Sequence, residues 1–419
     1  MEEELVFERE IELEELLSSL KDPSKIKVVV GLRGAGKTFL LNELFYRALL
    51  RRGYRPEDIF KADLSGRFAS VRDVASLQSL LKKALEHGAK LAFIDEIQLA
   101  GDGYADALIS FAKNHPGISL FVTGSNSKTL SDDIRKAFKE KAEIISLRPL
   151  SFKKIREQLP NYDVSDYLHY GGLPIALKSE PENRMPLLDG LYQNTYLLDI
   201  KERFKSQYLS NIEKENILIR MLSNLTSPLS ESQIIKGVTK QYVLNREQLF
   251  LLKKEILDFI ETISSSFLVC DFQQDDDFGE SKKSDFLDHH IKKYCFDLGL
   301  LNLISDAGKT YRNAAALENG VYLELLARGI CPHGGSVQKA NGELGEIDFV
   351  FDHAGLTYYV QSVYTLDEDN RDRELNNLLM APKSAQKLVI FAVNNLRKGI
   401  PSSIKAMSFE EFLLGDFLK

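Results

Sequence analysis

The chain has 419 residues, of which 44% are hydrophobic and 27% are charged, and this composition excludes a disordered or collagen-like protein. Its 54 basic and 61 acidic residues give a net charge of −7, which argues against a uniformly basic nucleic-acid coat but leaves room for a local basic face. We predict a cytoplasmic protein, because its start is rich in glutamate and does not resemble a signal peptide. The three cysteines are too few for a disulfide framework, and the absence of a long apolar run predicts no membrane span.

Predicted helices and strands alternate through the first 150 residues. The predicted helices cover residues 1–25, Phe39–Arg52, Val71–Glu86 and Asp102–Asn114. The predicted strands are Ile26–Val30, Ile59–Asp63, Leu91–Ile94, Ser119–Thr123 and Ile144–Leu147. Strands that alternate with helices indicate a parallel sheet with right-handed crossovers. We therefore predict an α/β domain over residues 1–150.

The rest of the chain divides into three predicted regions. Residues 151–208 are mostly helical and are predicted to form a lid. Residues 209–304 carry several helical runs followed by strands, an order that fits a winged-helix-like domain. Residues 305–419 return to mixed strand and helix, with two neighbouring predicted strands at Glu346–Phe351 and Leu356–Val363. We expect this last region to be a second α/β domain.

A glycine-rich turn follows the first predicted strand and fits the phosphate-loop pattern at every fixed position. Its glycines allow consecutive backbone N–H groups to converge on phosphate oxygens at a helix N-terminus. Lys37 is expected to reach the β- and γ-phosphates, and the Thr38 hydroxyl to ligate Mg²⁺. We predict that ATP or ADP binds to the residues of this turn and helix start, which are Gly31, Leu32, Arg33, Gly34, Ala35, Gly36, Lys37, Thr38 and Phe39.

Polar residues follow the ends of two further strands of this sheet. Asp95 is expected to hold Mg²⁺ together with Thr38, and Glu96 to polarise the attacking water, because a general base must be a carboxylate near the γ-phosphate. The candidates for sensing the γ-phosphate or orienting the water are Thr123, Ser125 and Asn126. The predicted catalytic set is Lys37, Asp95, Glu96 and Asn126. The identity of an arginine finger stays open among Arg33, Arg135, Arg148 and Arg156, with Lys141 as a further cation.

An ordered series of motifs extends over nearly the whole chain. The motifs are GLRGAGKT, FIDEIQ, TGSNS, RPLSF, HYGGLP, KKYCFDLGLLN, LENGVYLELLARG, GEIDFVF, YYVQSVYTL and DRELNNLL. This series resembles the prokaryotic AAA-type ATPases that carry a C-terminal domain of unknown function. The resemblance implies a P-loop NTPase core with an AAA- or RecA-like parallel sheet, a winged-helix-like middle part and a nuclease-like C-terminal fold of the restriction-endonuclease, PD-(D/E)XK, type.

The resemblance also implies roles for individual residues. It places nucleotide binding on Gly31 to Thr38, Mg²⁺ binding and water activation on Asp95 and Glu96, and sensing on Ser125 and Asn126. Two departures bear on the arginines. Where many members carry a Gly-Arg pair, this chain has Glu140 and Lys141, and where many carry two arginines in the phosphate loop, it has Arg33 and Gly34. Lysine does not reproduce the planar fork of arginine.

The C-terminal region lacks one part of a metal-dependent nuclease site. Such sites place Asp on one strand and Glu or Gln, then Lys two residues on, at the next. Asp348 and Gln361 take the first two places, and Glu318 or Glu324 is available as an additional carboxylate. Val363 takes the place of the lysine, and valine can neither position water nor offset negative charge. We therefore predict no cleavage, and a domain that binds nucleic acid or a partner; the alternative is a structural domain in which Asp348 and Gln361 only satisfy hydrogen bonds.

Two functions remain open from the sequence. The first is an ATPase that hydrolyses ATP with Mg²⁺ to reposition C-terminal domains, with DNA as a candidate partner because a winged helix can enter the major groove. The second is a slow nucleotide-dependent switch or scaffold that binds a protein partner without coupling to DNA. Oligomerisation is compatible with both, since a neighbouring subunit can supply an arginine in trans. A small-molecule kinase is disfavoured because it would not need a water-activating Glu96.

Overall fold

The computed structural model describes most of the chain as two compact units. It covers residues 5–418 with gaps at 125–137, 139–140, 198–199, 201–203, 224, 227–228, 241, 265–268, 273–289, 305–308, 340–341 and 397–398. The described residues up to Pro149 form the first unit, and those from Leu150 onward form the second. Within the described ranges, we find no helix with the length and apolar character needed to cross a membrane.

A five-stranded parallel sheet forms the centre of the first unit. Its strands are β1 Ile26–Gly31, β2 Ile59–Asp63, β3 Leu91–Asp95, β4 Ser119–Gly124 and β5 Ala142–Leu147. They lie in the order β2-β3-β4-β1-β5, with every neighbouring pair parallel. The five predicted strands and the α/β class of this region are therefore confirmed. Because the strands are parallel, their carboxyl ends meet at one edge of the sheet, where loops can form a site.

The helices of the first unit differ from the predicted ones mainly at their starts. They are α1 Glu10–Ser19, α2 Lys37–Phe39, α3 Tyr46–Arg51, α4 Val74–Glu86 and α5 Tyr104–Asn114, and a π-helical stretch, Leu40–Phe45, joins α2 to α3. The predicted start at Val71 moves to Val74 because Asp73 caps α4 by accepting a hydrogen bond from the Ser76 N–H at 2.8 Å. The first helix is shorter than residues 1–25 at both ends.

Three phenylalanines anchor the elements that end at this edge. Phe45 of the π-helical stretch, Phe93 of β3 and Phe121 of β4 are fully buried, with ring centroids 4.9–5.6 Å apart. Phe93 lies two residues before Asp95, and Phe121 lies two residues before Thr123. Aromatic packing of this kind fixes backbone positions. The polar residues that follow therefore lie next to tightly packed parts of β3 and β4.

The second unit begins with helices and a small antiparallel sheet. Its first helices are α6 Phe152–Gln158, α7 Val164–Tyr170, α8 Pro174–Leu177, α9 Pro181–Leu191, α10 Asn211–Ser223, α11 Glu231–Thr239 and α12 Arg246–Ser264. The strands β6 Leu229–Ser230, β7 Val269–Phe272 and β8 His290–Cys295 form a sheet in the order β6-β8-β7, with both pairs antiparallel. From α10 onward the element order is thus helix, strand, helix, helix, strand, strand.

Two of the sequence motifs meet inside the second unit. The Asp297 carboxylate accepts hydrogen bonds from the Gly172 N–H at 2.8 Å and the Leu300 N–H at 3.1 Å. A Cβ on Gly171, whose φ is +72°, would lie 2.4 Å from the same carboxylate. Burial raises the pKa of Asp297 to about 6, against the effect of its backbone donors. The HYGGLP and FDLGLLN segments are therefore a packing interface in which a side chain at Gly171 would not fit.

A mixed five-stranded sheet forms the end of the second unit. The remaining elements are α13 Leu298–Ile304, α14 Lys309–Ala327, β9 His333–Gln338, β10 Leu344–His353, β11 Leu356–Leu366, α15 Arg371–Met380, β12 Gln386–Asn394, β13 Lys405–Ser408 and α16 Phe409–Leu414. The order is β13-β12-β11-β10-β9, in which β9, β10 and β11 are antiparallel neighbours and β11, β12 and β13 are parallel neighbours. The two strands predicted here lie within β10 and β11.

Candidate functional site

The glycine-rich turn runs from the end of β1 into α2. A Cβ on Gly31, where φ is +151°, would lie 2.1 Å from the backbone oxygen of Leu147, so β5 leaves room only for glycine. Gly36 precedes α2 with a φ of +97°, a conformation that side chains rarely adopt. The helix begins there, since the Leu40 N–H donates to the Gly36 carbonyl at 2.8 Å. The turn is thus a tight loop leading into a helix N-terminus, as the sequence predicted.

Lys37 is buried inside this loop. It is 5% exposed, and its Nζ donates to the backbone oxygens of Gly31 at 2.9 Å and Leu32 at 3.0 Å. Burial lowers the pKa of Lys37 to about 8, while the nearby carboxylates of Glu96 and Asp95 act in the opposite direction. An ammonium group that is desolvated and bonded to neutral carbonyls gains strongly from an arriving anion.

Asp95 lies at the carboxyl end of β3 and faces the loop. Its Oδ2 accepts a hydrogen bond from the Thr38 hydroxyl at 2.6 Å, and its Oδ1 accepts one from the Thr123 hydroxyl. Asp95 is 7% exposed, and this burial raises its pKa although both hydroxyls oppose the rise. The structure therefore brings Thr38 and Asp95, which the sequence assigned to the metal, into direct contact.

Glu96 is held in an unusual backbone conformation beside Asp95. Its φ is +56°, which is rare for residues other than glycine. The Glu96 N–H donates to the Thr123 hydroxyl at 3.0 Å, and the Gln98 amide donates to the Glu96 carboxylate. Strain at a non-glycine residue persists where its surroundings impose it, and it concentrates at functional sites.

Thr123 contacts both acidic residues because of the strand order. β4 lies between β1 and β3, so the end of β4 lies between the glycine-rich loop and Asp95. The sequence offers Thr123 as one of three candidates for sensing phosphate; in the structure its hydroxyl donates to Asp95 and accepts from the Glu96 N–H. The other two, Ser125 and Asn126, lie outside the described residues, as does Arg135. Their assigned roles stay predictions.

Sequence reasoning missed Arg9, which reaches the same loop. Its Nη2 donates to the Ala35 backbone oxygen at 3.0 Å, and the residue is 9% exposed. No motif marks Arg9, but it is the only basic residue among the first twenty of the chain, eight of which are glutamates. That isolation was the one available signal.

The donor set at the loop fits a nucleotide with Mg²⁺. Mg²⁺ binds oxygen ligands and usually takes only one or two protein groups, with waters and substrate phosphates completing its shell. Thr38 and Asp95 supply a hydroxyl and a carboxylate oxygen 2.6 Å apart. Among the described residues, there is no group of three or more His, Cys, Asp or Glu arranged to hold a metal by itself. The Thr38–Asp95 pair suits a metal whose remaining ligands are waters and phosphate oxygens.

A second group of buried polar residues lies around β10 and β11. Asp348 of β10 accepts hydrogen bonds from the Ser362 N–H at 2.8 Å and the Ser362 hydroxyl at 2.6 Å. Gln361 of β11 donates its amide to Glu374 at 3.1 Å. Val363 belongs to the apolar core of this sheet. Asp348 and Gln361 thus lie on paired strands as expected, and Val363 is packing.

Lys292 of β8 joins this group from outside the sheet. Its Nζ lies 2.6 Å from Glu318 of α14 and 3.3 Å from Glu346 of β10. Burial raises the pKa of Glu318 to about 7, and Lys292 opposes that rise. Glu324, the other proposed carboxylate, pairs instead with Arg328 at 2.7 Å. We call Lys292, Glu318, Glu346 and Asp348 together the acid–lysine cluster.

Comparison with known proteins gives a family match for the first unit. Residues 23–156 match the model of a family described as an AAA domain. This region is therefore similar to AAA domains. The match includes the glycine-rich loop, both acidic residues and Thr123, and it ends close to the boundary between the two units.

Relatives extend over almost the whole length of the chain. An uncharacterized protein of Haemophilus influenzae is 26% identical over 400 residues, covering 92% of this chain and 93% of the relative. An uncharacterized protein of Methanocaldococcus jannaschii is 25% identical over 393 residues, covering 88% and 80%. Among solved structures, the ORC2 protein of Aeropyrum pernix is 13% identical with a TM-score of 0.38, covering 62% of this chain and 86% of that one. A likeness of that size carries no argument about function.

Proposed function

We propose that this protein is an Mg²⁺-dependent ATPase whose nucleotide state repositions its C-terminal half. The observation that carries the proposal is the convergence of Lys37, Thr38 and Asp95 on one glycine-rich loop. The Thr38 hydroxyl meets Asp95 at 2.6 Å, and Lys37 is buried within the loop. An ammonium group, a hydroxyl and a carboxylate at a helix N-terminus are the groups that a nucleoside triphosphate with a divalent cation requires.

The proposed reaction is hydrolysis by in-line attack. The oxygen of a water attacks the γ-phosphorus of ATP, the bond to the bridging oxygen breaks, and ADP leaves. Glu96 accepts the proton of the attacking water, while Lys37 offsets the charge on the phosphate oxygens. Thr123 holds Asp95 and the Glu96 backbone in place through its two hydrogen bonds. Mg²⁺, held by Thr38 and Asp95, would neutralise charge on the phosphates when bound.

For the second unit, we propose a helical lid over 151–208, a winged-helix-like domain over 209–304 and a nuclease-like α/β domain over 305–419. The element order from α10 to β8, with the sheet order β6-β8-β7, supports the winged-helix assignment. The antiparallel β9-β10-β11 meander followed by α15 and β12, with Asp348 and Gln361 on paired strands, supports the last assignment. Val363 in the core argues against cleavage there.

DNA is the partner that we propose for the middle region. The exposed surface of α11, α12 and their connection, called here the α11–α12 face, carries Lys236, Lys240, Arg246 and Lys254, together with the acidic Glu247, Asp258 and Glu261. Phe250 is 68% exposed beside these charges. Basic side chains around an exposed aromatic ring suit phosphates and bases. This local face is compatible with a net charge of −7, because steering depends on where the charge lies.

Phosphate release from ATP tests the proposal directly. We expect Mg²⁺-dependent release by the full chain that duplex DNA stimulates and that moderate salt weakens, since contacts to phosphates release counterions. The double variant Lys240→Gln/Arg246→Gln should lose the stimulation and keep basal release. Unchanged stimulation in that variant would show that DNA binds to a different part of the chain. Slow release indifferent to DNA would favour a nucleotide-dependent switch that binds a protein partner.

A further inference from the structure

Arg9 connects the start of the chain to the glycine-rich loop. It immediately precedes α1, which packs against β5 and the π-helical stretch Leu40–Phe45. Phe7, two residues earlier, is 4% exposed and is part of the buried core. The segment is therefore anchored on both sides of Arg9, and the guanidinium is held in one place. That place is the carbonyl of Ala35, inside the loop.

The contact with Ala35 reaches the part of the loop that would face phosphate. The Ala35 carbonyl belongs to the same peptide group as the Gly36 N–H, which is the last loop donor before Lys37. A guanidinium that binds the oxygen of a peptide polarises the N–H on its other side, because hydrogen bonds in a chain strengthen one another at low dielectric. Arg9 is thus placed to make the Gly36 N–H a better donor.

The charge of Arg9 is only partly matched. Glu12 lies 3.5 Å from its Nη1, a distance longer than a good charge-assisted hydrogen bond. Burial lowers the pKa of Arg9 and Glu12 opposes this, although an arginine stays protonated. A buried cation whose counter-charge is held in a longer ion pair still favours the arrival of an anion nearby. The contact with Ala35 and the buried charge of Arg9 should therefore both favour phosphate binding.

We infer that Arg9 is a positioning residue for nucleotide phosphates, acting through the Ala35–Gly36 peptide to hold and polarise the loop. The inference rests on the proposed nucleotide site. It differs from a purely structural role, in which Arg9 would anchor α1 and leave nucleotide affinity unchanged. It also predicts opposite effects for Arg9 and Glu12, because Glu12 offsets the charge that Arg9 supplies.

The test is calorimetric titration of the full chain with MgADP, together with steady-state ATP kinetics. We expect Arg9→Met, which keeps an apolar stem, to weaken ADP about tenfold. KM for ATP should rise by a similar factor while kcat stays within about twofold, since the interaction is made equally with bound substrate and transition state. Arg9→Lys keeps the charge without the fork and should lie between Arg9→Met and the parent. Ile11→Ala, at an exposed position of α1, is the matched control and should bind like the parent.

Glu12→Gln separates the two roles even if Arg9→Met does not fold. Removal of the counter-charge should tighten ADP binding, whereas a purely structural role for the pair predicts no tightening in any variant. Parent affinity in Arg9→Met, or equal weakening in Arg9→Lys and Glu12→Gln, would overturn the inference and leave the nucleotide site standing. A parent chain that binds no MgADP would instead remove the proposed function, and the inference with it.

Discussion

The glycine-rich loop and the acid–lysine cluster both bury charged side chains, but they match those charges differently. At the loop, Lys37 donates to two backbone carbonyls and Asp95 accepts from two hydroxyls, so each charge is bonded to neutral groups. In the acid–lysine cluster, Lys292 lies between two carboxylates at 2.6 and 3.3 Å. The first arrangement can exchange its partners for phosphate and metal oxygens, while in the second Lys292 already has carboxylate partners within the protein.

This difference separates a polar group that can bind a ligand from one that stabilises the fold. Charge that is buried without an ionic partner is costly and is kept where a ligand completes it. Charge that is paired across elements holds those elements together, and here Lys292 ties β8 to α14 and β10. Substitutions in the two groups should therefore affect different measurements.

The largest effect is expected for Glu96→Gln. The amide has the shape of the carboxylate but cannot accept the proton of the attacking water, so kcat should fall by about 10²–10⁴. Affinity for ATP should stay within about threefold of the parent, because Glu96 is not expected to bind the nucleotide. Single-turnover phosphate release and calorimetric binding measure the two quantities. Equal turnover in variant and parent would remove this role from Glu96.

The acid–lysine cluster should respond in stability instead. Lys292→Met leaves Glu318 without its cation and with only the Tyr294 hydroxyl as a donor, and breaking a buried ion pair in this way costs about 3–5 kcal/mol. Denaturant unfolding of the full chain measures the loss, and MgADP affinity should be unchanged. Glu346→Gln is the control, since Glu346 is 45% exposed and an exposed pair contributes at most about 1 kcal/mol. Equal losses in both variants would contradict the buried pairing.

The sequence could predict the first unit more fully than the second for a physical reason. A short apolar strand, a glycine-rich turn and a helix are local features. The sequence pattern of Gly31 to Thr38 therefore predicts both their conformation and their chemistry. Contacts between segments that are far apart in the sequence produce no local sequence pattern of this kind. Lys292 meets Glu318 and Glu346 only because β8, α14 and β10 pack together, and Arg9 meets Ala35 only because α1 packs beside the loop. The sequence shows that Val363 lacks the charge of a lysine, but its place in the apolar core depends on the packing of the sheet.

A smaller effect on turnover is expected at Thr123. Thr123→Val keeps the shape but removes the hydroxyl that bonds Asp95 and the Glu96 N–H, so kcat should fall about tenfold through loss of one or two hydrogen bonds. Thr123→Ser restores the hydroxyl and should recover most of the activity. The kcat values of the two variants at saturating ATP decide the matter. A serine variant as slow as the valine variant would show that the methyl group, and not the hydroxyl, matters.

The most gradual effect is a pH dependence of nucleotide affinity. The pKa of Lys37 is lowered to about 8 by burial, so the nucleotide-free protein loses this charge as pH rises through 8. Bound phosphate favours the protonated form, hence affinity should be constant below about pH 7 and fall by up to roughly tenfold per pH unit above 8. Lys37→Arg, which stays charged, should bind with a flat profile between pH 7 and 10. A parallel decline in both proteins would assign the titration to another group.

The most direct test of the nucleotide site is calorimetric titration of MgATP into three forms of the full chain. We expect about one site per chain in the parent, loss of binding in Lys37→Ala, and parent-like affinity in Asp348→Asn, because the loop binds the nucleotide and the acid–lysine cluster does not. Binding that survives in Lys37→Ala, or that is lost in Asp348→Asn while the chain remains folded, would contradict this assignment.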